Sequence, residues 1–331
     1  MSGMRPTGRL HLGHYFGALL NWLEYQDKYD SYFSIVDWHA LTTKFQDVKG
    51  IAGNIREIAL DWLSVGINPE VSTIYVQSAI PEIAELHLLL SMITPQNWVE
   101  REPTLKDMVK MLAADEGEAR EKVTYGLLGY PVLMTADILA FRAGLVPVGK
   151  DQESHLEFAR DIAKRFNYLF GNDYFPEPQP QFTSTPLLKG LDGQKMGKSY
   201  NNDVKLADTS EETIKKVKQA ITDRTRIAKS DPGHTDLCEV PWPMYKIFAA
   251  NKLTEIKTEC QTAAIGCVDC KTRLAGVIND FLAPVREKRQ ELSADAATVE
   301  KILQYGNSKA RRVAVETLNG VKELMGLSRW V

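Results

Sequence analysis

The chain has 331 residues, 40 Lys and Arg against 43 Asp and Glu, and a formal net charge of -3 at pH 7. That length favours two domains with ample chain for a buried core, and the near balance of charge excludes a whole-molecule basic field, so any nucleic-acid contact must be a local patch. No apolar run approaches the roughly 20 residues that cross a bilayer, and Met1-Ser2-Gly3-Met4 has no apolar signal region, which points to a soluble cytoplasmic protein.

Taken in order, the chain starts abruptly. A nucleotide-binding sheet should set a strand before the Gly3 to Gly8 turn, and the two residues before Gly3 leave either a stub strand or a chain that begins late. In Arg5-Pro6-Thr7-Gly8-Arg9-Leu10-His11-Leu12-Gly13-His14, two imidazoles three apart straddle a glycine, and Tyr15, Phe16, Leu19, Leu20 and Leu23 follow at helical spacing. His11 and His14 are therefore expected on the first turn of a helix, where free N–H groups and the helix dipole attract phosphate. Gly13 leaves room for a flat adenine ring against the backbone. Zinc ligands or two ordinary surface histidines are the alternatives.

Tyr32 to Val36 reads as a buried strand ending at Asp37-Trp38-His39, and residues 47 to 65 as a helix closed by Gly66. Thr73 to Val76 is the next strand, and the alternation predicts an α/β fold with a doubly wound parallel, Rossmann-like sheet. Residues at the carboxyl ends of such strands face the ligand crevice. Residues 81 to 126 are helical in pattern and interrupt the alternation. Pro131 suits a first helical position, which puts Tyr130, Met134, Asp137 and Phe141 on one face, apolar except for a carboxylate. Leu145 to Val148 is a strand, and Asp151 in the loop after it would serve as a helix N-cap.

Gly190-Leu191-Asp192-Gly193-Gln194-Lys195-Met196-Gly197-Lys198-Ser199 is a glycine-rich loop whose paired lysines suit a polyphosphate; a solvated basic turn is the plainer reading. Beyond Ser199 the strand signals stop. Residues 211 to 222, 242 to 256, 271 to 292, 297 to 304 and 308 to 326 read as helices, dividing the chain into 1–203 and an all-α part, 204–331. The last helix carries Lys309, Arg311, Arg312 and Lys322 against Glu316 and Glu323. All four cysteines, Cys238, Cys260, Cys267 and Cys270, fall within 33 residues of this part, spaced C-x21-C-x6-C-x2-C, which favours a metal site over scattered core thiols. One pair with two outlying cysteines suits an iron-sulfur cluster as well as zinc.

His11 to His14 and Lys195 to Ser199 together resemble the HIGH and KMSKS signatures of class I aminoacyl-tRNA synthetases. Tyr130 to Leu139 is similar to the segment Y-P-x-L-M-x-A-D-I-L, and residues 145 to 163, apart from Leu145, to I-V-P-V-G-x-D-Q-x-x-H-x-x-x-x-R-D-I-A. Both segments mark the bacterial tryptophanyl-tRNA synthetases, and the resemblance covers nearly the whole chain. It implies a ligase that converts tryptophan and Mg2+-bound ATP to tryptophanyl adenylate and pyrophosphate, then esterifies the terminal adenosine of tRNA(Trp).

By that resemblance Asp137 accepts the indole N–H, which donates and cannot accept. Met134 and Val148 wall the ring, Tyr130 and Gln152 hold the amino acid's polar end, and His39 lines the pocket. Arg5, Pro6, Thr7, Gly13, His14, Gly149, Lys150, Lys195, Met196, Gly197, Lys198 and Ser199 fall to ATP, with Asp151 on a ribose hydroxyl and Lys106 toward the pyrophosphate. His11, His14, Lys195 and Lys198 are the expected catalytic residues. The insertion about 81–126 would make a homodimer interface, and the helical domain would receive the anticodon. The cysteine spacing differs by one residue from a C-x22-C-x6-C-x2-C that holds a 4Fe-4S cluster in some members, with zinc the second choice.

The chain departs from the family in places. His14 replaces an asparagine of T-I-G-N, Arg5 a glutamine and Met1 an aromatic residue, while Gly197 replaces a serine and keeps only its N–H. A tyrosine-specific synthetase would want a donor beside Asp137, and the helix face shows none. A non-charging paralogue that senses tryptophan or redox state is the reading from another class, and the intact ATP motifs count against it.

Overall fold

Strand β1 (Ser2–Met4) is short but pairs in parallel with β2 (Ser31–Ile35), Gly3 opposite Ser34, and β2 pairs in parallel with β3 (Ser72–Val76), Phe33 opposite Ile74. The computed structural model describes residues 1–103, 123–149, 152–182 and 188–328; the expected ATP contacts Lys106, Lys150 and Asp151 lie outside them. Strand β4 (Leu145–Val148) forms a separate parallel ladder with β5 (Gln179–Phe182). The Met1 nitrogen donates to Leu145 O at 3.2 Å across the seam, so the spatial order is β3-β2-β1 and then β4-β5. That is the doubly wound arrangement, with the crevice where the order reverses. Strand β5 has no counterpart among the expected strands: Gln179-Pro180-Gln181-Phe182 is polar and carries a proline, a combination confined to sheet edges.

Before β2 the helical run has three parts: α1 (Leu12–His14), a π-helical segment (Tyr15–Leu19) and α2 (Leu20–Tyr25). Around the sheet stand α3 (Asp37–Lys44), α4 (Ile51–Ser64), α5 (Pro81–Ile93), α6 (Gln96–Arg101), α7 (Tyr125–Leu128), α8 (Tyr130–Leu139) and α9 (Glu153–Phe170). After β5 come α10 (Ser210–Val217), α11 (Pro241–Phe248), α12 (Leu253–Gln261), α13 (Cys267–Ala294) and α14 (Ala296–Leu324). One apolar cluster joins Leu19, Trp22, Ile58 and Trp62 to Val204, Leu206, Leu274 and Ile278; a second joins Tyr75, Leu86, Ile138 and Phe166 to Ala310, Ala314 and Leu318. Each core takes side chains from both sides of residue 203.

Several helix boundaries differ from expectation: α4 begins at Ile51 where the sequence suggests 47, and α10 ends at Val217 where it suggests 222. Residues 242 to 256 are split between α11 and α12 by a 3-10 turn at Ala250–Lys252. Helix α13 starts at Cys267, four residues before the expected 271, so Cys267 and Cys270 sit on its first turn. The expected helices 297 to 304 and 308 to 326 are one helix, α14, because Gly306 is a close-approach residue and does not end a helix. A Cβ at Gly306 would fall 1.8 Å from Ile74 O, so only glycine lets α14 lie directly on β3, where Asn307 Oδ1 accepts the Val76 N–H at 2.9 Å. Three basic residues of α14 pair with carboxylates of the first part: Arg311 with Glu82 at 2.9 Å, Lys322 with Glu85 at 2.5 Å and Lys309 with Asp30 at 3.9 Å.

Candidate active site

A cavity of about 500 Å3 opens at the carboxyl ends of β1, β2 and β4, a size that suits a small-molecule ligand. Arg5, Thr7 and His14 line one part of it; His39, Tyr130, Met134, Asp137, Val148, Gly149 and Gln152 line another. The structure thus gathers all six residues expected to hold the amino acid with part of the expected ATP set. Pro6 is buried beneath the turn.

Asp137 is 2% exposed and lies at the cavity's apolar end. His39 Nε2 meets its Oδ2 at 2.8 Å, and Gln77 Nε2 lies 2.9 Å from Oδ1 and 2.8 Å from Oδ2. An ionised carboxylate has about four acceptor positions; among the described residues one imidazole and one amide nitrogen shared between the two oxygens occupy it, so acceptor capacity remains on Oδ1. The helix face itself brings no donor to Asp137; the two that reach it are His39 from α3 and Gln77 from the end of β3, elements that a reading of one helix face cannot include. Both of those donors are already spent on the carboxylate. Phe141, the last residue of the expected face, leaves the site and stacks on Tyr32 at 4.7 Å. Gln77 was not singled out in the sequence. Its Oε1 accepts the Trp38 N–H at 3.0 Å, fixing the turn that carries His39.

Where the amino acid's polar end is expected, the Tyr130 ring stands edge-on between the rings of His39 and His155, at 4.9 and 5.2 Å. Gln152 Oε1 lies 2.8 Å from His155 Nδ1, and His155 Nε2 lies 3.3 Å from Glu102 Oε2, both partners being buried.

His11 caps α1 and His14 follows on its only turn, their rings 3.8 Å apart. His14 Nδ1 accepts the His11 backbone N–H at 3.3 Å, so the neutral ring carries its proton on Nε2 and presents a donor. Burial lowers His11 to about 4 and, with His11 and Lys198 adding, holds His14 well below the ordinary histidine value. Both are neutral donors at pH 7. A Cβ on Gly13 would lie 2.9 Å from the His11 ring and 3.4 Å from Met196 Cβ, so here the glycine makes room for the ring and for the second motif.

Within that motif Lys198 reaches back to the first turn, donating to Gly8 O at 2.6 Å and to Thr7 Oγ1 at 3.4 Å. Burial lowers its ammonium to about 8, against the pull of Asp61 and Asp203. Lys195 is exposed, while Met196 is 5% exposed and belongs to the core, so only its backbone remains for a ligand. The Gly197 N–H, expected to stay available, is donated to Asn202 Oδ1 at 2.9 Å. Asn202 Nδ2 also reaches Asp192 Oδ1 at 2.7 Å and Lys195 O at 3.1 Å, which makes this residue, absent from the expected set, the hub that shapes the loop.

The four cysteines converge from the turn before α11, from α12 and from the start of α13, near enough for Cys270 to be influenced by the other three. Burial is the largest cause raising Cys238, Cys260 and Cys270, the last to about 11. Four crowded thiols would hold thiolates poorly without a compensating cation, and the all-sulfur donor set is that of zinc or iron-sulfur. Among the described residues no three His, Cys, Asp or Glu side chains form a group that could hold a metal ion.

Residues 1–283 match the family of class I tRNA synthetases (W and Y). The chain belongs to this family of class I aminoacyl-tRNA synthetases. Within it, the chain is 38% identical to the tryptophan–tRNA ligase of Aquifex aeolicus over 99% of both chains. It is 43% identical to that of Borreliella burgdorferi over 99% of this chain and 93% of the other. A tryptophanyl-tRNA synthetase from Campylobacter jejuni, solved with ADP and tryptophan, superposes with a TM-score of 0.89 at 34% identity, covering 98% of this chain and 99% of that one. No helix among the described residues is long and apolar enough to cross a membrane.

Proposed function

We propose that the chain ligates tryptophan to tRNA in two steps, and that the amino acid is chosen by the acceptor capacity that Asp137 keeps on Oδ1. Indole N–H is a single donor on a flat apolar body, and Asp137 is a buried acceptor in a cavity that Met134 and Val148 also line. Tryptophan's carboxylate is ionised at pH 7 and needs no general base. The task is to align it with the α-phosphate of Mg2+-bound ATP while charge develops on the departing oxygens. A carboxylate oxygen bonds to the α-phosphorus as the bond to the β-phosphate breaks. His11 and His14 donate to the phosphate oxygens as neutral imidazoles, Lys198 leaves Gly8 O for the departing pyrophosphate, and Lys195 joins it from the exposed loop. A ribose hydroxyl of the tRNA's terminal adenosine then displaces AMP. Pyrophosphate exchange measured with each of the twenty amino acids tests this: only tryptophan should support it, and equal exchange with tyrosine would reject the pocket assignment.

The reading extends to assembly and to the cysteines. The chain works in the cytoplasm as a homodimer through the apolar side chains that α5 leaves outside, Leu88 at 52% and Met92 at 69% exposed. Light scattering should give twice the chain mass; a monomer would reject the dimer. Cys238, Cys260, Cys267 and Cys270 hold a 4Fe-4S cluster, a reading supported by their C-x21-C-x6-C-x2-C spacing and by their convergence around Cys270. Zinc is the second choice.

A further inference from the structure

The residue just before His11 is held by a buried ion pair that none of the steps above uses. Asp61 is fully buried near the end of α4; its Oδ2 accepts the Leu10 N–H at 2.7 Å and its Oδ1 meets Arg289 Nη1 at 2.5 Å. Arg289 Nη2 lies 2.7 Å from Glu57 Oε2, and Arg9 Nε lies 2.5 Å from the same oxygen. On the other side of the segment, Leu10 O accepts the Leu206 N–H and Leu12 N donates to Val204 O, each at 2.9 Å. The turn before the imidazoles is thus gripped by α4, by the 204–206 segment and by Arg289 of α13, the helix that begins with Cys267.

A buried ion pair is weak evidence for stability, because an apolar pair of similar volume does as well. An apolar pair cannot accept the Leu10 N–H. Lys198 bridges the same turn through Gly8 O at 2.6 Å, and on the ligase reading that bridge is released when the ammonium moves to the phosphates. We propose that Asp61, held by Arg289, is a positioning residue for adenylate formation, fixing the Leu10 backbone so that His11 and His14 keep their aim while Lys198 leaves Gly8. The inference rests on the ligase reading and adds the residue that holds its first motif in place.

The test compares two full-length double variants. Asp61→Leu with Arg289→Met removes both charges and the acceptor; Asp61→Asn with Arg289→Met removes both charges but keeps an amide oxygen for Leu10. In tryptophan-dependent pyrophosphate exchange the Leu/Met protein should lose at least ~10-fold in kcat with KM for tryptophan and ATP within ~3-fold, while the Asn/Met protein keeps kcat within ~3-fold of the unmodified enzyme. Equal kcat in the two variants, or a loss confined to KM, overturns the proposal. A readout independent of variant folding is amide hydrogen exchange at Leu10 in the unmodified enzyme. Protection matching that of the Leu206 amide, kept when a non-hydrolysable ATP analogue binds, supports it; fast exchange with the analogue bound overturns it. If the unmodified enzyme gives no tryptophan-dependent exchange, the ligase reading fails and the inference with it, whereas indifferent variants remove the inference alone.

Discussion

Gln77 Nε2 sits 2.9 and 2.8 Å from the two carboxylate oxygens of Asp137, so an amide at the end of β3 orients the one acidic group that lines the cavity among the described residues. Removing the carboxylate leaves the indole N–H without a partner in a buried site, a loss of roughly 1–3 kcal/mol. Asp137→Ala should therefore lower kcat/KM for tryptophan at least ~10-fold. Gln77→Leu keeps the acceptor but frees its orientation, and is expected to raise KM for tryptophan with a smaller change in kcat. Unchanged kinetics in Asp137→Ala would remove the assignment of Asp137; unchanged KM in Gln77→Leu would remove the orienting role.

Lys195 and Lys198 are expected to act on the transition state more than on ATP affinity. Replacing either with Ala should lower kcat for adenylate formation while KM for ATP changes less. A change in KM alone would make the loop a binding clamp.

The alkaline side of the rate profile is expected to follow Lys198. Its ammonium is lowered by burial to about 8, and the charged form is the useful one, so kcat/KM for ATP should fall as pH rises through about 8. Lys198→Arg stays charged and should flatten that limb whatever its effect on the rate at pH 7. An identical limb in Lys198→Arg would assign the titration to another group.

The parts of this site that could be read from the chain are those whose meaning is local. Pro131 with Tyr130, Met134 and Asp137 carries its helix face in its own spacing, and His11-Leu12-Gly13-His14 carries its turn. Gln77 and Asn202 carry no such signal. A glutamine after a strand acquires its role only because Asp137, 60 residues on, folds against it, and Asn202 shapes the loop only through atoms of Asp192, Lys195 and Gly197. The same reason hid the course of α14. Gly306 looks like a break along the chain and is a contact in space, since the carbonyl it admits belongs to Ile74.

His11 and His14 make the enzyme acid-sensitive. Both are lowered by burial, His11 to about 4, so the unfolded chain takes up protons below pH 6.5 while the folded one does not. The stability they contribute is present above about 6.5 and is lost as pH falls toward 4, at ~2–3 kcal/mol for His11. Urea melts across that window should show the loss in the unmodified protein and a shallower one in His11→Asn. Parallel curves would mean that the His11 ring is solvated in the native state.

The cysteine set should separate from adenylate chemistry. Cys238, Cys260 and Cys270 are raised by burial, so thiolates there would depend on a metal partner, and on the cluster reading ligation would contribute folding free energy to the turn before α11 and the start of α13. Protein purified without oxygen should be brown, with iron and sulfide in equal amounts. Cys270→Ser should loosen this end of the helical part, still form tryptophanyl adenylate, and charge tRNA poorly. Colourless protein with one zinc per chain would replace the cluster and keep the separation of roles. The connection that could defeat the separation is α13 itself, which carries Cys267 and Cys270 at one end and Arg289, the partner of Asp61, near the other. If a folded Cys270→Ser protein lost adenylate formation, α13 would be transmitting the state of its first turn to Leu10, and the two halves would have to be treated as one coupled unit.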